Sequence, residues 1–533
     1  MVSPVLFIAI PLATAFLIVL AGNRGAAKVF AVLASGAVTA ISIGWILPAV
    51  TGAGTVVPVE VRLGGVDAPL GIALVLDSLG VGLTFLVSVS LLLVTIYSLG
   101  YIPAGAGLHG KRRPDEVRYY AVLMLLGAAS FGLILTRDLF NLFVFYEILC
   151  ISSYILVAYE EDDRALEASM KYMLLGSVGS LLMLAAIGLA YRVTGSLAMS
   201  DVAAALADAP APYALVTALL FLFGMGLEAA IFPVNAWLPD AHSSAPSSIS
   251  AVLSGFVIEL ALVVLVRVGM TVFAAVDLLS ILPVLAIAGI LVGEIAAWAQ
   301  RELKRTLAYS SIGQIGIILF ALSLGTRIGA QAALGHLFMH AGAKSVLFLV
   351  AGYFILRTGS HRIGDYRGLA ARMPVSATLF AIAALSLLGV PPLFGFFTKF
   401  RIVAAAAAAT GGGGAGSGMI WFGIAAILFG TVLEGAYLFR IVTTLFDRTG
   451  AEVAVDAGGA TVTEPREVGK DRAVPAGVNH PAATRVPAGS AELDLPAMVA
   501  VAVFVALLLF GGLVLPRIDG IVNPAAMVLA SLG

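Results

Sequence analysis

The chain of 533 residues contains one cysteine, Cys150, and only 11% charged residues. A single cysteine closes no intrachain disulfide and supplies no cluster for zinc or an iron–sulfur centre. Set in an apolar run, Cys150 reads as a small buried residue. Soluble domains carry roughly 25% charged residues, so a chain this poor in charge, and 60% hydrophobic, belongs in a membrane. The net charge of −1 gives nucleic acid nothing to bind. Met1 to Leu20 is apolar with no basic residue ahead of it, so it reads as a retained helix rather than a secretory signal. Strict apolar/polar alternation is missing, which excludes a transmembrane β-barrel. Two G-x-G-x-x-G matches, Gly105–Gly110 and within Gly411–Gly416, follow no strand and open no βαβ unit, so no nucleotide site is expected. No cofactor and no metal is expected.

What the chain has instead is a succession of apolar runs of about 20 residues, each long enough to cross a bilayer. They lie near 3–21, 27–50, 73–100, 117–136, 139–158, 168–191, 211–232, 246–272, 276–298, 306–324, 328–357, 376–404, 418–446 and 495–516. The fold class is therefore an all-α integral membrane protein of about fourteen transmembrane helices. Basic residues crowd into alternate loops: Arg24 and Lys28; Lys111, Arg112, Arg113 and Arg118; Arg164 and Lys171; Arg301, Lys304 and Arg305; Arg362, Arg367 and Arg372; and Arg448, Arg466, Lys470, Arg472 and Arg485. The other loops hold mostly one each, Arg137 and Arg267 among them. This asymmetry puts both termini on the non-cytoplasmic side of the cell membrane. Two stretches read as loops by composition, 404–418 (Ala- then Gly-rich) and the polar segment 449–493.

Ionisable residues inside these runs are the second feature. Glu147 lies within the run 139–158, and Glu228, Glu259, His336, His340, Lys344, Lys399 and Glu434 have comparable settings. A charge at bilayer depth costs about 2.5–3.5 kcal/mol on insertion scales and usually marks an ion pathway. His336, His340 and Lys344 recur every fourth residue and share one helix face. The seventh run ends at Phe232-Pro233 and the twelfth carries Gly389-Val-Pro391-Pro392 at its middle. Such breaks survive at membrane depth only where they are buried or line a wet cavity. A pair of them in matching positions points to inverted repeats around a transport site; ordinary proline kinks are the alternative.

These residues carry a resemblance. Asp138-Leu-Phe-Asn-Leu-Phe-Val-Phe-Tyr-Glu147, Trp237-Leu-Pro-Asp-Ala-His242, Leu303-Lys-Arg-Thr-Leu-Ala-Tyr-Ser-Ser311, His336 to Lys344, and Gly389-Val-Pro-Pro to Lys399 resemble the antiporter-like subunits shared by respiratory complex I, membrane-bound hydrogenases and multi-subunit Mrp cation/proton antiporters. The match runs from about 70 to 445 and is strongest with the D branch of the Mrp antiporters. The resemblance implies two inverted five-helix repeats, with broken helices 7 and 12, around a hydrated axis at mid-membrane. The chain would divide into N-terminal helices (1–104), first repeat (105–272), second repeat (273–446), cytoplasmic polar loop (447–494), and last helix with tail (495–533). It implies an ion pathway through Glu147, His336, His340, Lys344 and Lys399. The partners implied are H⁺, with Na⁺ left open, and other membrane subunits of one complex, embedded in the lipid bilayer. Redox chemistry would belong to those subunits, and an antiporter, a hydrogenase and an NADH-quinone oxidoreductase all remain open. A purely structural anchor is the alternative function.

The chain also departs from the pattern. Glu228 stands where the family usually has a lysine five residues before the proline, and Glu259 stands for a second lysine on the eighth helix. The N-terminal half would then hold carboxylates without a local cation. A carboxyl proton relay, a cation such as Na⁺ between the acids, or loss of transport in that half are the three readings.

Overall fold

The computed structural model describes residues 2–51, 57–67, 69, 71–105, 115–410, 417–447 and 492–511. The expectations for the glycine motifs, for Lys111–Arg113, for nearly all of the polar loop 447–494 and for the tail beyond 511 fall outside these residues. The chain opens with α1 (Leu6–Ala21) and α2 (Arg24–Thr51), then an antiparallel pair β1 (Val59–Arg62) and β2 (Ala73–Leu76), in register from Val59 opposite Leu76 to Arg62 opposite Ala73. Five helices follow: α3 (Ser78–Gly105), α4 (Glu116–Leu135), α5 (Leu139–Val157), α6 (Asp163–Thr194) and the short α7 (Met199–Ala207). Next come α8 (Ala211–Glu228), α9 (Trp237–Ser244), α10 (Ser247–Val252), α11 (Ile258–Thr271), α12 (Leu282–Ala299), α13 (Leu303–Ser323) and α14 (Arg327–Thr358). The series ends with α15 (Pro374–Leu388), α16 (Phe394–Ala409), α17 (Ser417–Phe446) and α18 (Leu495–Gly511).

Among the described residues, eleven helices are long and apolar enough to cross a membrane, or twelve if the bent pair Ile363–Ala371 and Pro374–Leu388 is one span. Two further apolar helices, α1 and α18, are shorter. The expected third run begins too early, because 73–76 is strand β2 and the helix starts at Ser78, where Asp77 accepts from the Gly80 amide at 2.8 Å. Periodicity cannot separate four apolar residues of strand from a helical turn.

Both expected breaks are present. At the first, α8 ends at Glu228 and the chain passes through Ala230 (φ 53°) and a cis Phe232–Pro233 bond before α9. The carbonyl of Leu227, near the helix end, accepts from the Ala230 amide at 3.0 Å and from Trp237 Nε1 at 2.8 Å. At the second, α15 ends at Gly389 in the left-handed region (φ 91°), and Lys399 Nζ lies 3.4 Å from the Leu388 carbonyl. A cation suits that end of a helix dipole. Each break thus has a carbonyl near its helix end met by a buried polar side chain.

Gly395, in the first turn of α16, is where the two halves of the second break cross. A Cβ there would sit 1.7 Å from the Ser386 carbonyl oxygen. Backbone cannot yield cheaply, so Gly395→Ala is expected to destabilise by at least about 1–3 kcal/mol, the usual range for overpacking. Thermal unfolding of the purified protein measures this. An unchanged melting temperature would show that the crossing relaxes freely.

Candidate ion pathway

The polar groups inside the helices meet in several hydrogen-bonded clusters. In the N-terminal half, α5 presents Glu147 and, three residues on, Cys150. Opposite them α6 presents Ser180 and, two turns earlier, Tyr172. Ser180 Oγ donates to Glu147, which is half-buried. Glu228, at the last turn of α8, is fully buried; Tyr172 Oη donates to its Oε1 at 2.6 Å and Cys150 Sγ to its Oε2 at 3.4 Å. Tyr172 is held for this by the Trp237 ring, stacked on it at 3.8 Å and 2°. Neither carboxylate forms an ion pair among the described residues. The two acids take separate donors. Cys150 is buried as expected and is also polar in use, since its thiol is one of the two groups that meet Glu228.

Glu259 differs from the expectation for that half. A π-helical turn, Leu253–Val257, separates α10 from α11, and Glu259 follows it. Glu259 faces His340 of α14, with Oε1 2.5 Å from Nδ1 and both residues fully buried. Its partner is therefore an imidazole from the C-terminal half. Lys344, one turn further along α14, donates to the Leu307 carbonyl of α13 at 2.9 Å. Lys304, counted among loop cations by its neighbours in sequence, is 3% exposed and donates to the Ala245 carbonyl that caps α9. His242 of α9 is fully buried against Phe348, ring centroids 4.7 Å apart.

The C-terminal half holds a longer connected row. His336 Nδ1 lies 2.9 Å from Thr398 Oγ1, and its Nε2 lies 2.9 Å from Gln314 Oε1. Gln314 Nε2 donates to Glu434 Oε1 at 3.0 Å, and Glu434 is ion-paired with Lys399. One turn from Glu434 on α17, Tyr437 Oη donates at 2.9 Å to Oε2 of Glu294, a fully buried acid of α12. That acid is admitted by Gly313, where a Cβ would stand 2.3 Å from its Oε1.

At one end of the bundle Asp77 binds two arginines, Arg137 at 3.0 Å and Arg267. Burial lowers the proton affinity of Arg137, in the loop between α4 and α5, to about 9; Arg267 adds to the effect and Asp77 opposes it. Loops expected together on the cytoplasmic side are tied to one another: Arg164 to Glu302 at 2.5 Å, and Lys171 and Arg305 both to Asp240 at 3.1 and 2.9 Å.

The structure brings His336 into one row with Lys399 and Glu434, and pairs His340 with Glu259. It keeps Glu147 and Glu228 on the α5–α6–α8 side. Sequence reading missed Glu294, Gln314, Thr398, Lys304 and Tyr172. Glu294 and Lys304 had a signal, since each lies inside or at the edge of an apolar run, whereas Gln, Thr and Tyr carry none.

A family model described as "NADH:quinone oxidoreductase/Mrp antiporter, TM" matches residues 136–428. The NADH-quinone oxidoreductase subunit N of Desulforudis audaxviator is 35% identical over 394 residues, 73% of this chain and 75% of that one. The D subunit of the Na(+)/H(+) antiporter of Bacillus subtilis is 33% identical over 344 residues, 64% of this chain and 68% of that one. Among solved structures, a chain of the membrane-bound sulfane sulfur reductase, an archaeal respiratory membrane complex, superposes with a TM-score of 0.81 at 29% identity, covering 99% of this chain and 98% of that one.

Proposed function

Because the chain belongs to the NADH:quinone oxidoreductase/Mrp antiporter family of membrane subunits, we propose that it moves protons across the cell membrane as one subunit of a larger complex, with Na⁺ as the candidate exchange ion. The residues assigned to the pathway are Glu147, Glu228, Glu259, His336, His340, Lys344, Lys399 and Glu434. One observation carries the reading: acids, imidazoles and amines inside the membrane helices are each held by a partner in separate groups, Glu147 with Ser180, Glu228 with Tyr172, Glu259 with His340, and His336 with Gln314 and Glu434. Isolated buried charges are costly, and so many ionisable side chains kept inside membrane helices are what an ion pathway requires. Among the described residues, Glu259 Oε2, His340 Nε2 and both nitrogens of His242 have no hydrogen-bond partner, which suits sites wetted by ordered water.

In this reading α1, the broken pair α15–α16 and α18 also cross the membrane, giving fourteen spans with both termini outside. Residues 105–272 and 273–446 are the inverted repeats, each with one broken helix. The chain itself binds no redox cofactor. Retention of the N-terminal half as scaffold has one observation in its favour: both oxygens of Glu228 are already met by Tyr172 and Cys150.

Glu147→Gln in the assembled complex separates the two. The amide keeps the contact with Ser180 but gains and loses no proton, so flux into membrane vesicles is expected to fall about tenfold or more, with the complex intact. Unchanged flux would make the N-terminal half a scaffold.

A further inference from the structure

Gln314 occupies the middle of the row Thr398–His336–Gln314–Glu434–Lys399, in which every member is at most 7% exposed. The direction of its hydrogen bonds is fixed from the charged end. Glu434, ion-paired with Lys399, can only accept, so the group 3.0 Å away must be the amide NH₂ of Gln314. The amide oxygen is then turned to His336 Nε2, and that oxygen only accepts. His336 Nε2 therefore carries a hydrogen whatever the charge on the ring. In the neutral ring Nδ1 accepts from the Thr398 hydroxyl. A second proton can enter only at Nδ1, whereupon the Thr398 hydrogen turns to the Gly395 carbonyl, 3.1 Å away.

A row this complete has the outline of a proton wire, yet one member cannot conduct. Passing the Nε2 proton to the Gln314 oxygen would create an O-protonated amide, a species far more acidic than an imidazolium. Completing the passage by loss of an amide hydrogen to Glu434 would leave an imidic acid that needs a further proton shift to recover. We propose that Gln314 is an insulating link, which orients His336 and the Glu434–Lys399 pair and couples their charges while barring direct proton transfer between them. Proton exchange at His336 is thereby confined to Nδ1, the side of Thr398 and the second helix break. Gln314 is a positioning residue in this scheme, and the scheme rests on the ion-moving role proposed above.

A carboxyl at this position repairs the wire. In Gln314→Glu the introduced carboxyl, protonated on the oxygen facing Glu434, passes that proton to Glu434 while its other oxygen takes the Nε2 proton of doubly protonated His336, and rotation of the acid about Cγ–Cδ restores the starting arrangement, with no atom left in an abnormal form. The test uses the intact complex in proteoliposomes with an imposed pH gradient and its driving reaction withheld. Decay of the gradient is expected to be several-fold faster with Gln314→Glu than with the unaltered complex, and unchanged with Gln314→Leu, which removes both contacts but adds no titratable group. Gln314→His, also titratable, is expected to leak as Gln314→Glu does and serves if that variant does not assemble. Equal leaks from the Leu and titratable variants, or no leak from either titratable variant, would overturn the proposal. Lys399→Ala measured alongside keeps the two ideas apart. If driven flux falls with Lys399→Ala but the titratable variants do not leak, only the insulating role fails. If Lys399→Ala leaves driven flux intact, the pathway itself fails.

Discussion

Lys399→Ala is expected to stop driven ion movement in the assembled complex, with a loss of about tenfold or more, and to lower its thermal stability. Both effects follow from the ion pair with Glu434, which is fully buried while Lys399 is 7% exposed. Removing one member of a buried pair leaves an uncompensated charge and typically costs about 3–5 kcal/mol. The Leu388 carbonyl at the end of α15 loses its nearby ammonium as well. The double variant Lys399→Ala with Glu434→Gln separates folding from function, because it deletes the charge of both partners. Stability is expected to recover while flux stays lost, read by thermal unfolding and by vesicle flux on the same preparation. Recovery of both in the double variant would mean that the pair only holds α16 to α17.

The sequence makes the architecture legible far better than the wiring. Continuous apolar runs announce spans because only helices satisfy the backbone in lipid, and Pro233, Pro391 and Pro392 announce breaks because proline withholds a donor. The spacing of His336, His340 and Lys344 places them on one face of α14, and there they are. Pairing between helices is another matter. Glu259 looks like a member of the N-terminal group by position, yet it meets His340 after a π-turn advances the helix by a fraction of a turn, and no residue type encodes that turn. Lys304 stands beside Arg301 and Arg305 and counts as a loop charge until α13 is seen to carry it inward to the cap of α9. Gln314, Thr398, Tyr172 and Tyr437 are neutral, so no burial cost singles them out, although they orient the charged groups.

Glu228→Lys installs the residue type that the family resemblance leads one to expect there, and it is expected to abolish driven flux rather than preserve it. The surroundings of residue 228 are built for an acceptor: Tyr172 Oη donates at 2.6 Å, and Cys150 Sγ donates from the other side. An ammonium offers three donors and no acceptor. Tyr172 would have to reverse its hydroxyl while stacked on Trp237, and the Cys150 thiol would lose its acceptor. Leaving such donors unmet costs about 1–3 kcal/mol each. Glu147, on the same face of α5 as Cys150, is the acid placed to answer the new charge, but Ser180 already holds it to α6. Measuring vesicle flux with and without Na⁺ divides the remaining readings. Equal loss in both conditions follows if Glu228 relays protons, and loss confined to the Na⁺-dependent part follows if a cation binds between Glu147 and Glu228. Flux retained by Glu228→Lys would show that acid and amine are interchangeable at this position. Glu228→Leu then decides whether a charge is needed there at all, since a leucine that keeps full flux leaves Glu228 with no part in transport.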